Sequence, residues 1–287
     1  MTTPPILLIT GASSGIGEAC ALEFDRLGWR VLATLRREAD ADALRQKAST
    51  NLIPLLMDVT DSASIQHAAE QVREIIGTSG LQGLINNAGV AIAGPLEFLP
   101  IAELRQQLEV NVIGQVAVTQ AFLPMLRQAT VPKARIVNIG SVSGLIAYPL
   151  LGPYNASKFA LEAITDSLRM ELKQWGIHVA LIDPSAIKTP IWEKSAAHGA
   201  SQLTPDMQHL YGDLIAKMQK VAMASGTHGS PVIKVVEAVV HAMTADKPRT
   251  RYVIGVSKPL VMLLRALPDR RRDALILRTV QRRASKD

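Results

Sequence analysis

Cysteine is almost absent from this 287-residue chain. Cys20 stands alone, so no intrachain disulfide can form, and a reducing compartment fits best. Its place in an apolar helical pattern reads as packing rather than chemistry. No Cys/His cluster has the spacing of zinc ligands, so no metal is expected. Aromatic residues make up only 4%, too few for the stacking platforms that hold single-stranded nucleic acid, and no nucleic-acid partner is expected. No stretch reaches the roughly 18 apolar residues of a membrane span. Met1 to Pro5 carries no basic residue and no cleavage site, which argues against a secretion signal. A soluble, cytoplasmic protein is the expectation. Internal repeats and low-complexity blocks are missing too.

Apolar residues account for 48% of the chain and charged residues for 20%, an ordinary globular balance. The net charge of +6 is local. From Lys258 onward the sequence holds Lys258, Arg265, Arg270, Arg271, Arg272, Arg278, Arg282, Arg283 and Lys286 against Asp269, Asp273 and Asp287. The rest of the chain is balanced. Residues 1–257 therefore read as the domain and 258–287 as a basic tail.

Short apolar, β-branched runs alternate with helical spacing. Strands are predicted at 6–9, 31–35, 52–57, 83–85, 134–139, 177–182 and 252–254, and helices at 16–27, 39–48, 62–76, 101–127, 154–174 and 232–244. Such βαβ units bury both faces of a parallel sheet. The expected architecture is α/β, a doubly wound parallel sheet (Rossmann fold). Residues 185–230 interrupt the alternation with Gly, Pro and Ser among helix-compatible runs. An insertion after a strand's carboxyl end lies beside the ligand crevice, so this segment is expected to be a substrate lid.

The first predicted strand runs into Thr10-Gly-Ala-Ser-Ser-Gly-Ile-Gly17. Glycines at 11, 15 and 17 depart from the G-x-G-x-x-G spacing but serve the same physics. They allow a tight turn and close approach of a pyrophosphate, which the following helix meets with free N–H groups and a positive dipole end. Gly11, Ser13, Ser14, Gly15, Ile16 and Gly17 are the candidate phosphate cradle. About 20 residues on, where an acid would hold a ribose 2′-hydroxyl, stand Arg36 and Arg37. Guanidinium groups there favour a 2′-phosphate and hence NADP(H). Glu38 is the rival reading, and solvated loop charges the bland one.

Tyr154 and Lys158 are four residues apart on a predicted helix and so share a face. A free tyrosine titrates near pH 10; an ammonium nearby should lower that value and make the hydroxyl useful as an acid or base at a carbonyl oxygen. Such a pair also occurs by chance. Ser141, at the end of the fifth strand, could hydrogen-bond the same oxygen, with Ser143 as competitor. Leu145, Ile146, Leu150 and Leu151 suit either an apolar pocket or the core.

Taken together, these motifs resemble the short-chain dehydrogenase/reductase family over about residues 5–190, in the branch with a T-G-x-x-x-G-x-G turn and Y-x-x-x-K. The resemblance implies further roles. Asp58 and Val59 would meet the adenine. Asn87, Ala88 and Gly89, within Asn86-Asn-Ala-Gly89, would line the nucleotide. Asn111 would hold a water in a proton relay. Ser141, Tyr154 and Lys158 would be catalytic, with Lys158 also on the nicotinamide ribose. Pro184, Ile187 and Thr189 would face the nicotinamide end. Two positions depart from the family pattern: Ser185 replaces a glycine after Pro184, and Gly140 stands where a serine often precedes the catalytic one.

Within the family, the 33–37 and 152–158 segments and the stretch near Arg251 resemble the 17β-hydroxysteroid and retinol dehydrogenase-like group. That implies a bulky, apolar alcohol or ketone as substrate, and a homodimer or homotetramer. A 3-ketoacyl thioester reductase and a non-catalytic NADP(H) sensor are the alternatives. Leu260 to Leu267 and Ala274 to Leu277 read as two short amphipathic helices. A tail packed on the body with a solvated arginine face is the favoured reading, and contact with an anionic membrane surface the alternative.

Overall fold

The computed structural model describes residues 4–129 and 133–284. The first three residues, read above for a targeting signal, and residues 285–287 of the basic tail lie outside them. Strands β1 (Ile6–Ile9), β2 (Arg30–Leu35), β3 (Leu52–Leu56), β4 (Gly83–Asn86), β5 (Arg135–Ile139), β6 (His178–Pro184) and β7 (Arg251–Ile254) form one sheet. Its order is β3-β2-β1-β4-β5-β6-β7, and every pairing is parallel. The chain order reverses between β1 and β4, so a crevice opens above their carboxyl ends, the place where such sheets bind ligands.

The strands are mainly apolar because both faces are covered. In β1, Leu7 and Ile9 join a core with Phe24, Val31, Val137 and Val239. The alternate residues Ile6 and Leu8 join Leu32, Leu84, Val118 and Phe122 on the opposite face. The first layer comprises α1 (Gly15–Arg26), α2 (Glu38–Arg45) and α9 (Ile233–Thr244). The second comprises α3 (Ser62–Ile76), α5 (Gly114–Gln128) and α6 (Gly152–Glu171). Each fully buried Phe or Leu contributes roughly 1.5–3 kcal/mol.

The predicted helix over 101–127 is interrupted. It consists of α4 (Ile101–Leu108), a π turn at Glu109–Ile113, and α5. An extra residue in one turn shifts the register of everything after it, and it buries Asn111 completely. Helix α6 starts at Gly152, before its expected first residue, because Pro153 sits in the first turn, where a missing N–H costs nothing. The 185–230 segment is more regular than its composition suggested. It holds α7 (Ile191–Ser201) and α8 (Pro205–His228), the latter capped by the Thr204 hydroxyl on the Met207 N–H.

The basic tail forms α10 (Lys258–Ala266) and α11 (Asp269–Ala284). Val261 and Ile276 are buried against Val142, Leu145 and Ile146, and α11 packs along α8. Among the described residues no helix is long and apolar enough to cross a membrane.

Candidate active site

Between β1 and α1 the chain turns through Gly11 and Gly15, both with φ above +60°, a conformation L side chains rarely adopt. Gly17 is held by space instead: a Cβ there would collide with the Gly11 carbonyl and the Asn87 amide. Asn87 braces the turn, its Nδ2 donating to the Thr10 and Gly11 carbonyls at 2.9 and 3.0 Å. The Thr10 hydroxyl in turn accepts from the N–H groups of Asn87 and Ala88. Asn87 thus shapes the turn from below as well as edging the crevice.

A trough of about 270 Å³ runs over the carboxyl ends of the strands. Gly11, Ser13, Ser14, Gly15 and Ile16 line it, as do Arg36, Asp58, Val59, Asn87, Ala88 and Gly89. At its far end come Tyr154, Lys158, Pro184, Ile187 and Thr189. Gly17 is buried beneath. No side chain caps the N-terminus of α1, so its N–H groups present a positive dipole end to the trough. Asp58 is partly committed, accepting from the Thr60 N–H and hydroxyl at 2.9 and 2.8 Å.

The two neighbouring arginines part company. Arg36 borders the trough and makes no ion pair among the described residues. Arg37 turns the other way, in a two-pronged bond to Asp40 at 2.8 and 2.7 Å. Lys194, from α7, also borders the trough; no sequence signal had marked it.

Asn111 lines neither cavity. Its amide donates to the Val90 carbonyl at 3.0 Å and the Ser157 hydroxyl at 3.1 Å, and its oxygen accepts from the Val90 N–H at 2.9 Å. Gln107, one turn earlier, bonds Val90 and Ile92. Both side chains stitch the 88–92 segment to the helix below. Deeper still, Asn86 donates to Asn138, and Asn138 to Thr165, which ties β4 and β5 to α6. Buried side-chain networks of this kind restrict the arrangement of the elements they join. Here they set the position of the helix that carries Tyr154 and Lys158.

Tyr154 and Lys158 face the trough from α6, both buried. The Lys158 Nζ donates to the Ile139 carbonyl at 2.8 Å and lies 5.7 Å from the Tyr154 ring centroid. Burial pushes the amine down to about 8, opposed by the Asp183 carboxyl. For Tyr154 the expected direction is reversed. Burial raises its hydroxyl above the usual value, the Ser141 hydrogen bond opposes this, and Asp183 adds to the rise. The desolvation of the phenolate outweighs the help that a nearby ammonium had been expected to give.

The Ser141 hydroxyl donates to the Pro184 carbonyl at 3.4 Å and lies close enough to Tyr154 to oppose the rise of its hydroxyl. Ser143, the competitor, instead donates its backbone N–H to the Ser141 oxygen at 3.1 Å and so orients it. The Gly140 departure has a local reason: a Cβ there would collide with Asp183 Oδ1. Ser185 keeps β6 in register, its N–H donating to the Ile254 carbonyl at 2.9 Å.

A second cavity, of about 700 Å³, opens on the other side of Ser141. Its walls are mainly apolar and come from distant parts of the chain: Phe98 and Leu99, Ile146, Tyr148, Leu150 and Leu151, Met207 and Met218, Val261 and Leu264. Ile146, Leu150 and Leu151 belong to this wall, whereas Leu145 lies in the core behind it. Helices α7, α8, α10 and α11 close the cavity. Ser141, Ser185 and Trp192 line both spaces, and the Trp192 ring stands edge-on to Tyr154 at 6.3 Å. Ser141 and Trp192 are therefore where the two spaces meet, and Tyr154 stands beside them on the trough side. No group of three or more His, Cys, Asp or Glu among the described residues could hold a metal ion.

Comparison with known proteins gives the same frame. The family described as short chain dehydrogenase matches residues 5–199. The NADPH-dependent 3-dehydrocapnine reductase of Ornithobacterium rhinotracheale is 37% identical over 278 residues, covering 96% of this chain and 97% of that protein. Retinol dehydrogenase 5 of Mus musculus is 38% identical over 281 residues, covering 94% and 87%. Among solved structures, a short chain dehydrogenase/reductase of Burkholderia phymatum in complex with NAD superimposes with a TM-score of 0.76 at 25% identity, over 95% of each chain.

Proposed function

The chain belongs to the short-chain dehydrogenase family and is an oxidoreductase of that family; from that premise we propose that it interconverts a bulky apolar ketone and its secondary alcohol with NADP(H). One observation carries this reading. Ser141 lines both the trough and a mainly apolar chamber of about 700 Å³, and Tyr154 and Lys158 border the trough beside it.

The donor set in the trough suits a phosphorylated dinucleotide. The uncapped N-terminus of α1 and Arg36, which has no ion-pair partner among the described residues, are both positive and both border it. Ser13 to Ile16 would hold the pyrophosphate, Arg36 the 2′-phosphate, and Asp58 and Val59 the adenine. Asn87 to Gly89 would line the middle. Lys158 would hold the nicotinamide ribose, with Pro184, Ile187 and Thr189 at the ring. Bound there, a reduced nicotinamide would supply the hydride needed at the carbonyl carbon.

The chain's own groups handle the proton. Ser141, oriented by the Ser143 N–H, donates to the carbonyl oxygen as negative charge builds on it. Tyr154 gives that oxygen its proton. Lys158, as ammonium, stabilises the phenolate left behind. Tyr154 is raised by burial, so it is protonated throughout the neutral range, the form that reduction requires. Helices α7 and α8 act as the lid. The His198 ring at 2.7 Å from the Glu103 carboxylate, and the Tyr211 hydroxyl at 2.7 Å from Glu97, fasten them to the body.

Initial rates of NADPH and NADH consumption over ketones of increasing size, with a 3-ketoacyl thioester included, test this reading. Faster turnover with NADPH, rising with the apolar bulk of the ketone, is expected. A clear NADH preference would overturn the cofactor, and turnover confined to the thioester would overturn the substrate class.

A further inference from the structure

Behind Lys158 lies a second set of charges that the mechanism above does not use. Tyr154, Lys158, Glu162 and Asp166 recur every four residues along α6, a single stripe on one helix face. Asp183, the penultimate residue of β6, faces this stripe with no solvent exposure, and neither of its carboxylate oxygens has a conventional hydrogen-bond donor. Arg251 enters from β7 and ion-pairs with Glu162 and, at 3.5 Å, with Asp166. The groups facing Asp183 are thus Lys158 and Glu162 from α6 and Arg251 from β7, with Tyr154 one turn beyond.

Space has been made for this arrangement. Asp183 Oδ1 occupies the place that a side chain at position 140 would take, so the glycine there is a condition for the carboxyl. The packing is equally tight on the other flank, where a Cβ on Gly144 would lie 2.7 Å from the Lys158 carbonyl oxygen and 3.1 Å from Glu162 Cγ.

We propose that Asp183 is a positioning residue that acts through Lys158: paired with Glu162 and anchored by Arg251, it decides whether the amine beside Tyr154 carries its charge. Two carboxyls this close, away from water, retain one proton between them. Arg251 balances the single charge that remains, which rests on Glu162. Burial and Glu162 push Asp183 up to about 8, close to the value of about 8 to which Lys158 falls. When Asp183 loses its proton, a negative charge appears behind Lys158 and keeps the ammonium charged to higher pH. The acid pair therefore broadens the range over which Lys158 remains a cation.

Removal of the two carboxyls should have opposite effects. Asp183→Asn keeps the shape and loses the charge, so Lys158 should deprotonate at lower pH. Glu162→Gln removes the like charge that holds a proton on Asp183, so Asp183 ionises earlier and Lys158 should deprotonate at higher pH. Each shift should be about one pH unit.

The Lys158 midpoint can be read without turnover, by NMR titration of protein labelled with 13C at the lysine side chains, the signal assigned by its loss in Lys158→Arg. The inference rests on the proposed role of Tyr154 and Lys158 for its effect on turnover. The titration does not, so a shift in an inactive protein would sink that role and leave the coupling standing. Displacements of opposite sign in the two variants support the proposal; an unmoved midpoint in both, or displacement in one direction only, overturns it. Folding is checked by circular dichroism. If Asp183→Asn does not fold, Glu162→Gln decides alone: an upward displacement supports the proposal, and none overturns it. In the active enzyme, the alkaline limb of kcat for ketone reduction should follow the same two displacements while KM for the ketone is unchanged.

Discussion

The two cavities that meet at Ser141, beside Tyr154, are built by different rules. The trough is assembled from short segments at the carboxyl ends of successive strands, each with its own recognisable pattern, and glycines, polar groups and apolar side chains share its wall. The chamber is assembled from segments far apart in the chain, residues from 93–103 and 141–151 together with α7, α8, α10 and α11, and its wall is mainly apolar. The first surface is tied to the sheet, whose register leaves it little freedom. The second rests on packed helix faces, which tolerate exchange of one apolar residue for another at small cost. One fold can therefore keep its hydride chemistry and change its substrate.

That contrast predicts a hierarchy of mutational effects. Substitution at the junction should cost most. Tyr154→Phe removes the proton donor and should lower kcat for ketone reduction by about 10²- to 10⁴-fold, with the NADPH dissociation constant, read from nicotinamide fluorescence, little changed. Next comes the floor of the trough. Gly17→Ala forces a methyl group against the Gly11 carbonyl and the Asn87 amide, an overpacking expected to cost about 1–3 kcal/mol of stability in thermal unfolding and to weaken NADPH binding in parallel.

Arg36→Ala should act on the trough's rim alone. The ratio of NADPH to NADH specificity should fall about 10- to 100-fold, while the same change at Arg37, already bound to Asp40, should leave the ratio intact. Smallest should be the chamber. Leu264→Ala on its far wall should raise KM for a bulky ketone by about 5- to 10-fold and leave small ketones unaffected. If Leu264→Ala reduced turnover of small and large ketones alike, the separation of the two regions would fail.

The same contrast explains what could be read from the sequence. The glycine turn, the Tyr154–Lys158 spacing and the alternating strands are local patterns, and the seven strands and the trough follow from them. The far wall of the chamber has no local pattern. An amphipathic stretch such as 258–266 shows that one face is buried, not what it faces, and only the structure brings Val261 and Leu264 to the cavity. Arg36 and Arg37 are equivalent as neighbours in sequence; the turn after β2 sends one to the trough and the other to Asp40. The π turn at Glu109–Ile113 has no propensity signature, since the apolar spacing around it still suits an ordinary helix. Asp183 was hidden because a single acid inside an apolar strand run, Val179 to Ile182, reads as the strand's end. Its meaning lies in Glu162 and Arg251, which the topology supplies. The upward shift of Tyr154 was missed for a related reason: spacing places a charge near a hydroxyl but does not say how dry the site is.

Isotope transfer tests the central claim most directly. Wild-type protein is incubated with NADPH deuterated at nicotinamide C4 on one face or the other, together with a bulky apolar ketone, and the alcohol is analysed by mass spectrometry. The account predicts one deuterium on the carbinol carbon from one of the two labelled faces only, and none above background in Tyr154→Phe over the same interval. Tight NADPH binding with no deuterium in any alcohol across the ketone series, or equal transfer by Tyr154→Phe, would contradict it.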